Sequence, residues 1–285
     1  MDLSTSTLSH FMPYWLDGLL EECDNEAKDH MVYPIKLLQR ESRAAVWNLC
    51  SHFCVDQCGV PALACRLLER YLSVLHRHHI LLRNGSEEWH TFKMKLTEKM
   101  PLLIATCIQL AAKMGSVKAK LNANIIRVGL LCKGANYSIR NINDTEFEVY
   151  RTLEYRIPFW TSVDAGLFLA FELGMPIDKL HKVATMVDFA EFLRDCIEKK
   201  VQLVANLSPT SRNTSNMRTL HLVAGAVSAI FRFLHLDELG CTGRLAKLTR
   251  APFSYIKCIS DIICAEIVTD NKPPIKRTHK RKYPQ

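Results

Sequence analysis

The feature that most restricts the fold of this sequence is an almost entirely apolar run, LLIATCIQLAAKM, at Leu102 to Met114. It is interrupted only by Thr106, Gln109 and Lys113, which are three and four residues apart and so form one narrow stripe on a helix. A helix that is apolar on nearly every side is expected at the centre of a helical bundle. Lys113 is out of place there, and we expect it either to extend to solvent or to meet a partner.

The rest of the chain has the same helical periodicity, and strand-like alternation is scarce. No Gly-rich phosphate-binding turn occurs. We therefore predict an all-α protein with about ten to twelve helices in one large or two medium domains. Pro34, Pro61 and Pro101 are expected to begin helices, the first of them reaching about Cys58, because proline suits the first helical position. The second half should contain helices at 162–174, 177–204, 217–236 and 252–268.

A second unusual charge lies in the helix predicted to follow Tyr137, with Ser138 as its N-cap. Glu146 falls within the apolar series of that helix, where a carboxylate is costly unless it is paired or lies at an interface. The series consists of Ile139, Ile142, Glu146, Val149 and Leu153.

The pattern of apolar and polar residues in the second half of the chain resembles that in the first half. Residues 219–234 form another apolar run rich in small side chains, and a Phe-Ser pair at 253–254 opens the last helix as the Tyr-Ser pair does at 137–138. In that alignment Ile262 takes the place of Glu146. We predict two copies of one five-helix unit, of which only the first keeps its charges.

The formal charge of +8 is unevenly distributed. Six basic residues and no acidic ones follow Asp270, so the remainder is nearly neutral, which argues against a domain built around nucleic acid. The tail is predicted to be disordered. It is expected either to act as a nuclear import signal or a contact to the DNA backbone, or to be a solvated tail with neither role. The residues that would carry either role are Lys276, Arg277, Lys280, Arg281 and Lys282.

The eleven cysteines indicate a reduced, cytosolic or nuclear protein, because their number is odd and they lie within helical patterns. We expect neither a signal peptide nor a membrane span. Cys50, Cys54 and Cys58 are one helical turn apart, but one helix face cannot complete a tetrahedral zinc site, so buried thiols are favoured over a metal. No catalytic set of residues stands out, and neither enzymatic activity nor a cofactor is expected.

Three segments resemble the cyclin box. LLERYLS at 67–73 is similar to the L-D-R-F-L-S segment of that family, with Glu69 in place of aspartate. CIQLAAKM at 107–114 resembles the central A-C-x-x-L-A-S-K-[YF] helix, with Lys113 on its lysine. The segment from 137 to 157 resembles the Y-T…M-E…L-x-F-x-L pattern, with Glu146 on its glutamate. The resemblance covers about residues 40–170 and continues more weakly to about 268.

This resemblance implies a cyclin-like fold of two five-helix bundles, the second divergent. The implied division is an N-terminal extension with a short helix at 1–33, a first cyclin box at 34–160 with an insertion at about 76–100, a second cyclin-like box at 161–269 and a basic disordered tail at 270–285. The implied function is that of a non-catalytic subunit that binds a cyclin-dependent-type kinase through the first box.

In the cyclin family the lysine and the glutamate grip the backbone at the end of a kinase helix. That role falls here on Lys113 and Glu146, with supporting contacts from Glu69, Leu110, Met114 and Tyr150. The competing interpretation is that the two charges form an intramolecular surface pair of little energetic value.

Two departures from the family pattern are informative. Arg40 and Arg43 are both candidates for the arginine of the family's substrate-docking patch, but Trp47 has the wrong spacing for either, so substrate recruitment by that patch is not expected. About 25 residues separate Leu75 from Pro101, where cyclins have a short connection.

That insertion resembles the divergent cyclin-N-terminal-domain-containing crossover factors of meiosis. The resemblance implies a nuclear, chromosome-associated protein, with some in the cytoplasm, that promotes crossover maturation. Trp89, Phe92 and Leu96 would contact recombination proteins. Two alternatives remain open: a kinase-independent scaffold for recombination proteins, and a transcription-factor-like double cyclin fold that contacts DNA. We expect no membrane partner, and DNA association that is mainly indirect.

Overall fold

The structure is a computed structural model, and it describes residues 5–32, 38–79, 87–115, 121–158, 160–206, 217–236 and 240–270. Those residues form twelve α-helices and one short 3-10 turn, and the described ranges contain no strand, so the predicted all-α class is confirmed. The helices are α1 (Thr5–Val32), α2 (Arg40–His52), α3 (Val60–His79), α4 (Glu87–Met114), α5 (Ala123–Cys132), α6 (Ile139–Thr152), α7 (Ser162–Glu172), α8 (Leu180–Phe192), α9 (Arg194–Asn206), α10 (Thr219–Phe233), α11 (Cys241–Leu248) and α12 (Phe253–Asp270).

The described helices enclose two hydrophobic cores. One is built from residues 38–153, on α2 to α6 and their connections. The other is built from α7 to α12 together with α1, which contributes Leu19, Leu20 and Cys23. The N-terminal helix is 28 residues long, not short as the sequence suggested, because its apolar face is covered by the second core.

The central position of α4 is confirmed. Every residue from Leu102 to Ala112 except Ile104 is buried, including Thr106 and Gln109 of the polar stripe. Between Leu102 and Met114, the only exposed residues are Lys113 and Met114, in the last turn of the helix.

The predicted start of α4 at Pro101 is wrong, because the helix begins at Glu87 and runs through the proline. Proline has no N–H to donate to the carbonyl of Thr97, so the helix loses one hydrogen bond there. Contacts on the preceding residues hold the segment in place: Lys99 pairs with Glu148, and the hydroxyl of Tyr137 donates to the carbonyl of Glu98 at 2.8 Å. Residues 87–100, part of the predicted insertion, are therefore a helical arm, which we call the α4 arm.

The cysteine prediction is partly wrong. Helix α2 ends at His52, so Cys54 and Cys58 lie in the following loop, with φ of 55° and 56°, and are exposed. Only Cys50 of the three is buried, and burial raises the pKa of its thiol. Within the described ranges, no three His, Cys, Asp or Glu side chains are grouped closely enough to hold a metal ion. Pro34 lies outside the described residues.

Two helices of the second half differ from the prediction. The predicted helix at 177–204 is two helices, α8 and α9, separated at Leu193. Apolar spacing cannot detect that break, because both helices have the same period. Helix α11 was not predicted, since its eight residues are too few for a clear periodic pattern.

The two cores meet where α2 and α3 contact α8. The indole of Trp47 packs edge-on against the ring of Phe192 at 5.5 Å, and the guanidinium of Arg40 lies over the same ring. Arg43 is buried and pairs with Glu69 at 2.5 Å. The candidate residues of the substrate-docking patch are thus engaged in packing within the chain. In the described part of the chain, no helix has the length and apolar character needed to cross a membrane.

Candidate protein-docking site

The structure brings together the two charges that the sequence pattern marks as unusual. The ammonium of Lys113, in the last turn of α4, donates to Oε1 of Glu146, in the middle of α6. The lysine side chain is 52% exposed and the glutamate 18% exposed. The pair therefore lies at the surface, with its carboxylate partly sheltered.

The local sequence explains this position. Ser138 caps α6 by accepting the N–H of Asn141 at 3.1 Å, as predicted, and Ile142 and Val149 anchor the buried face of the helix. Glu146 lies at the edge of that face. Lys113 lies at the C-terminal end of α4, where the helix dipole favours a positive charge. Packing of α4 against α6 therefore places the two opposite charges within reach of each other.

A large exposed apolar side chain is next in sequence to each member of the pair. Met114 follows Lys113 and is exposed, and Phe147 follows Glu146 with 58% of its surface exposed. The guanidinium of Arg151 lies 6.0 Å from the centre of the Phe147 ring. We call this surface, made of Lys113, Met114, Glu146, Phe147 and Tyr150, the α4–α6 site. Sequence reasoning missed Phe147, although an aromatic residue on the polar side of an amphipathic helix was a usable signal.

The predicted supporting residues do not all lie at the α4–α6 site. Tyr150 lies one turn after Glu146 on the same helix and packs edge-on against Tyr155, with ring centres 5.0 Å apart. Leu110 lies one turn before Met114 but is buried. Glu69 is not part of the site, because it pairs with Arg43 near the contact between the two cores.

A second carboxylate of α6, Glu148, was not predicted. The hydroxyl of the buried Tyr71 donates to one of its oxygens at 2.7 Å, and Lys99 donates to the other at 2.5 Å. Partial burial raises the pKa of Glu148, but the hydrogen bonds from Lys99 and Tyr71 outweigh it and hold the pKa below its usual value. Three helices, α3, α4 and α6, thus meet at one carboxylate. We call Tyr71, Lys99 and Glu148 the Glu148 cluster.

The second half has a related ion pair, so the prediction that only the first half keeps its charges is wrong. Arg232, one residue before the end of α10, donates to Asp261 of α12 at 2.5 Å. Lys113 is likewise one residue before the end of α4. Asp261 precedes Ile262, which the pattern alignment had matched to Glu146, so that alignment was one residue out of register. The side chains of Arg232 and Asp261 are 44% and 48% exposed.

Another polar cluster is buried among α1, α8, α9 and α10. Arg194 donates to the hydroxyl of Thr219 at 2.8 Å and lies near Glu26 and Glu191. Burial lowers the pKa of this guanidinium, but Glu191 and Glu26 raise it by more, so Arg194 stays charged. Burial beside Glu191 raises the pKa of the Asp188 carboxyl to about 7. These groups join elements within the protein and offer little to a partner.

The α4 arm carries two of the predicted partner contacts close together. The rings of Trp89 and Phe92 stack with centres 5.6 Å apart, and the ammonium of Lys93 lies over the indole. His76 of α3 meets the indole edge-on. Leu96, the third predicted contact, is partly buried and packs against the first core. The basic tail, with all five of its predicted contact residues, lies outside the described part of the chain.

The relationship of the chain to known proteins agrees with this architecture. No family model matches the sequence. The chain is similar to the human Cyclin N-terminal domain-containing protein 1, with 24% identity over 251 residues that cover 80% of this chain and 76% of the relative. This similarity extends across most of both proteins, and the described part of the chain consists of helices and their connections, without a strand. The chain is therefore a divergent cyclin-like protein.

Proposed function

We propose that this protein is a non-catalytic regulatory subunit that binds a cyclin-dependent-type kinase through the α4–α6 site. The observation that carries the proposal is the meeting of Lys113 and Glu146, from two different helices, at an exposed surface. Each is an unusual residue for its place in the sequence, and binding of one partner at this surface would explain both. The similarity to a cyclin N-terminal domain-containing protein supports the regulatory class.

The chemistry of the site suits the end of a partner helix. A lysine ammonium has three donors for the free carbonyls at a helix C-terminus, and a glutamate accepts N–H groups. Met114 and Phe147 can exclude water around these contacts, which strengthens charge-assisted hydrogen bonds. An ion pair at the protein surface adds little to stability, so exchanging it for contacts with a partner costs little.

We further propose that residues 34–160 and 161–269 are two cyclin boxes and that the first carries the kinase site. Two observations support this division. The hydrophobic cores are separate. Each central helix, α4 or α10, has a basic residue one position before its end, paired with an acid of the last helix in its half.

The biological setting is also a proposal, and it rests on the resemblance of the insertion to the divergent meiotic crossover factors. We propose that the protein acts in the nucleus, associated with chromosomes, and promotes crossover maturation. The basic residues after Asp270 would serve as its import signal. Deleting residues 272–285 from a fluorescent fusion should then shift it from nucleus to cytoplasm, and unchanged nuclear localisation would contradict the import role.

A pull-down tests the kinase proposal. Full-length protein is used as bait in extract from cells that contain cyclin-dependent kinases, and the double variant Lys113→Ala/Glu146→Ala is compared with wild type. We expect the double variant to lose the kinase. The matched control is Arg140→Ala/Asp144→Ala, which removes an exposed ion pair on the same helix α6. Kinase retained by the first variant, or lost equally from both, would contradict the proposed site.

The stacked Trp89 and Phe92 favour one alternative, a kinase-independent scaffold that binds recombination proteins through the α4 arm. In that case Trp89→Ala/Phe92→Ala would lose its partners, and Lys113→Ala/Glu146→Ala would keep them. A DNA-binding double cyclin fold is less well supported, because the charge outside the tail is nearly neutral. It would require strongly salt-dependent DNA binding that survives deletion of residues 272–285.

A further inference from the structure

Helix α6 is held against α4 from two sides. Glu146 and Glu148 are two positions apart, which corresponds to a rotation of about 200° around a helix, so their side chains leave α6 on opposite sides. Their partners Lys113 and Lys99 are both on α4, separated by about 21 Å along its axis. Helix α6 therefore crosses α4 between the two lysines, and each ion pair opposes rotation of α6 about its own axis in one direction.

The two pairs differ in what supports them. The Lys113–Glu146 pair joins two helices at the surface, and in the proposed function both of its members turn to a partner. The Lys99–Glu148 pair has a third member, because the hydroxyl of Tyr71, a side chain only 1% exposed on α3, donates to the same carboxylate. Tyr137, just before α6, adds a contact to the carbonyl of Glu98 on the same side. This side of α6 therefore stays fixed when the other is engaged.

We propose that the Glu148 cluster sets the rotational position of α6 and thereby the orientation in which Glu146 and Phe147 meet the kinase. Tyr71, Lys99 and Glu148 are positioning residues: they act through α6 and do not touch the partner. The proposal rests on the proposed kinase function. It adds that the docking site depends on a polar contact on the far side of the helix.

Hydrogen exchange of the free protein tests the structural half of this proposal. We expect Lys99→Met and Glu148→Gln each to speed exchange of the α6 amides, residues 139–152, by about five- to tenfold, whereas exchange in α12 stays unchanged. Tyr71→Phe removes a single hydroxyl and keeps the buried ring, so it serves as the variant least able to disturb folding. Asp144→Asn on the exposed face of α6 is the matched control.

Binding to the kinase recovered in the pull-down tests the functional half. The three cluster variants should each weaken affinity by about five- to twentyfold. The charge-exchanged variant Lys99→Glu/Glu148→Lys should restore most of that affinity, because it re-forms the pair. A purely space-filling role predicts no such rescue.

The outcomes separate this proposal from the function on which it rests. If wild type binds no kinase, the proposed function fails, and the exchange experiment alone decides whether the cluster fixes α6. If wild type binds and the cluster variants bind equally well, the positioning role is overturned and the proposed function stands. Unchanged α6 exchange in all three variants would also overturn the positioning role.

Discussion

In the second half of the chain, α12 approaches α10 so closely that a Cβ on Gly225 would lie 2.2 Å from Cγ2 of Ile259. In the first half, α4 contains no glycine, and α6 is joined to it by the ion pairs of Lys113 and Lys99. Both halves place a basic residue at the end of the central helix and pair it with an acid of the last helix. They differ in what holds that last helix in place.

This difference between the two halves indicates which of the two ion pairs can bind a partner protein. Close backbone packing fixes α12, so the Arg232–Asp261 pair is an addition at the surface. Helix α6 is held by its buried Ile142 and Val149 and by polar contacts on opposite sides, and one of these, Lys113–Glu146, has the exposed Met114 and Phe147 next to it in sequence. An ion pair at a helix end is thus not by itself evidence of a docking site. The partly sheltered carboxylate of Glu146 distinguishes the first pair from the second, whose Arg232 is also followed by an exposed aromatic residue, Phe233.

The largest effect is expected from disrupting the close packing of the second half. Gly225→Val should lower the free energy of unfolding by about 3 kcal/mol, because the added carbons would overlap the branched Cβ of Ile259. Gly243→Ala is the control, since a Cβ there meets nothing within 4 Å and should stabilise α11 by about 0.5–1 kcal/mol. Urea unfolding measures both. A Gly225→Val protein as stable as wild type would show that close packing at Gly225 does not hold α12 in place.

A smaller effect, confined to the first half, is expected from pH. The pKa of Glu148 is lowered by folding, so its contribution is present above the unfolded value and is lost as the pH falls through the lower folded value. Glu148→Gln should therefore cost about 1 kcal/mol at neutral pH and less at about pH 3, which lies below the unfolded value. Urea unfolding of both proteins at the two pH values measures this difference. A cost that is the same at both would show that the charge of Glu148 is not what stabilises α6.

The smallest effect is expected from the ion pair of the second half. Arg232→Ala/Asp261→Ala should change the free energy of unfolding by less than about 1 kcal/mol, because both side chains are well exposed. Kinase capture in the pull-down should be the same as for wild type. Loss of kinase from this variant would mean that the two ion pairs are functionally alike, contrary to the distinction drawn above.

Features that depend on local interactions were predicted from the sequence, whereas features that depend on contacts distant in sequence were not. The buried position of α4 and the cap at Ser138 follow from local periodicity and side-chain chemistry, and both are confirmed. The predicted start of α4 was wrong because a local pattern does not show the contact of Lys99 with α6. That contact helps to stabilise the helical residues before Pro101.

The candidate site was predicted only in part, for the same reason. Lys113 and Glu146 were identified because each conflicts with the apolar pattern around it. Glu148 does not conflict with its pattern, and its importance depends on a hydroxyl of Tyr71, 77 residues away. Asp261 was missed because matching two halves by eye cannot fix the register of a helix to one residue.

The most direct test of the docking site exchanges its two charges. Lys113→Glu/Glu146→Lys keeps an ion pair between α4 and α6 but reverses the charge that each position offers to a partner. If the pair served only to join the two helices, the variant would bind kinase as wild type does. A docking role predicts that affinity, measured by titration calorimetry with the purified kinase, falls about 100-fold or more while the melting temperature changes little. Wild-type affinity in this variant would contradict the assignment of Lys113 and Glu146 to the kinase.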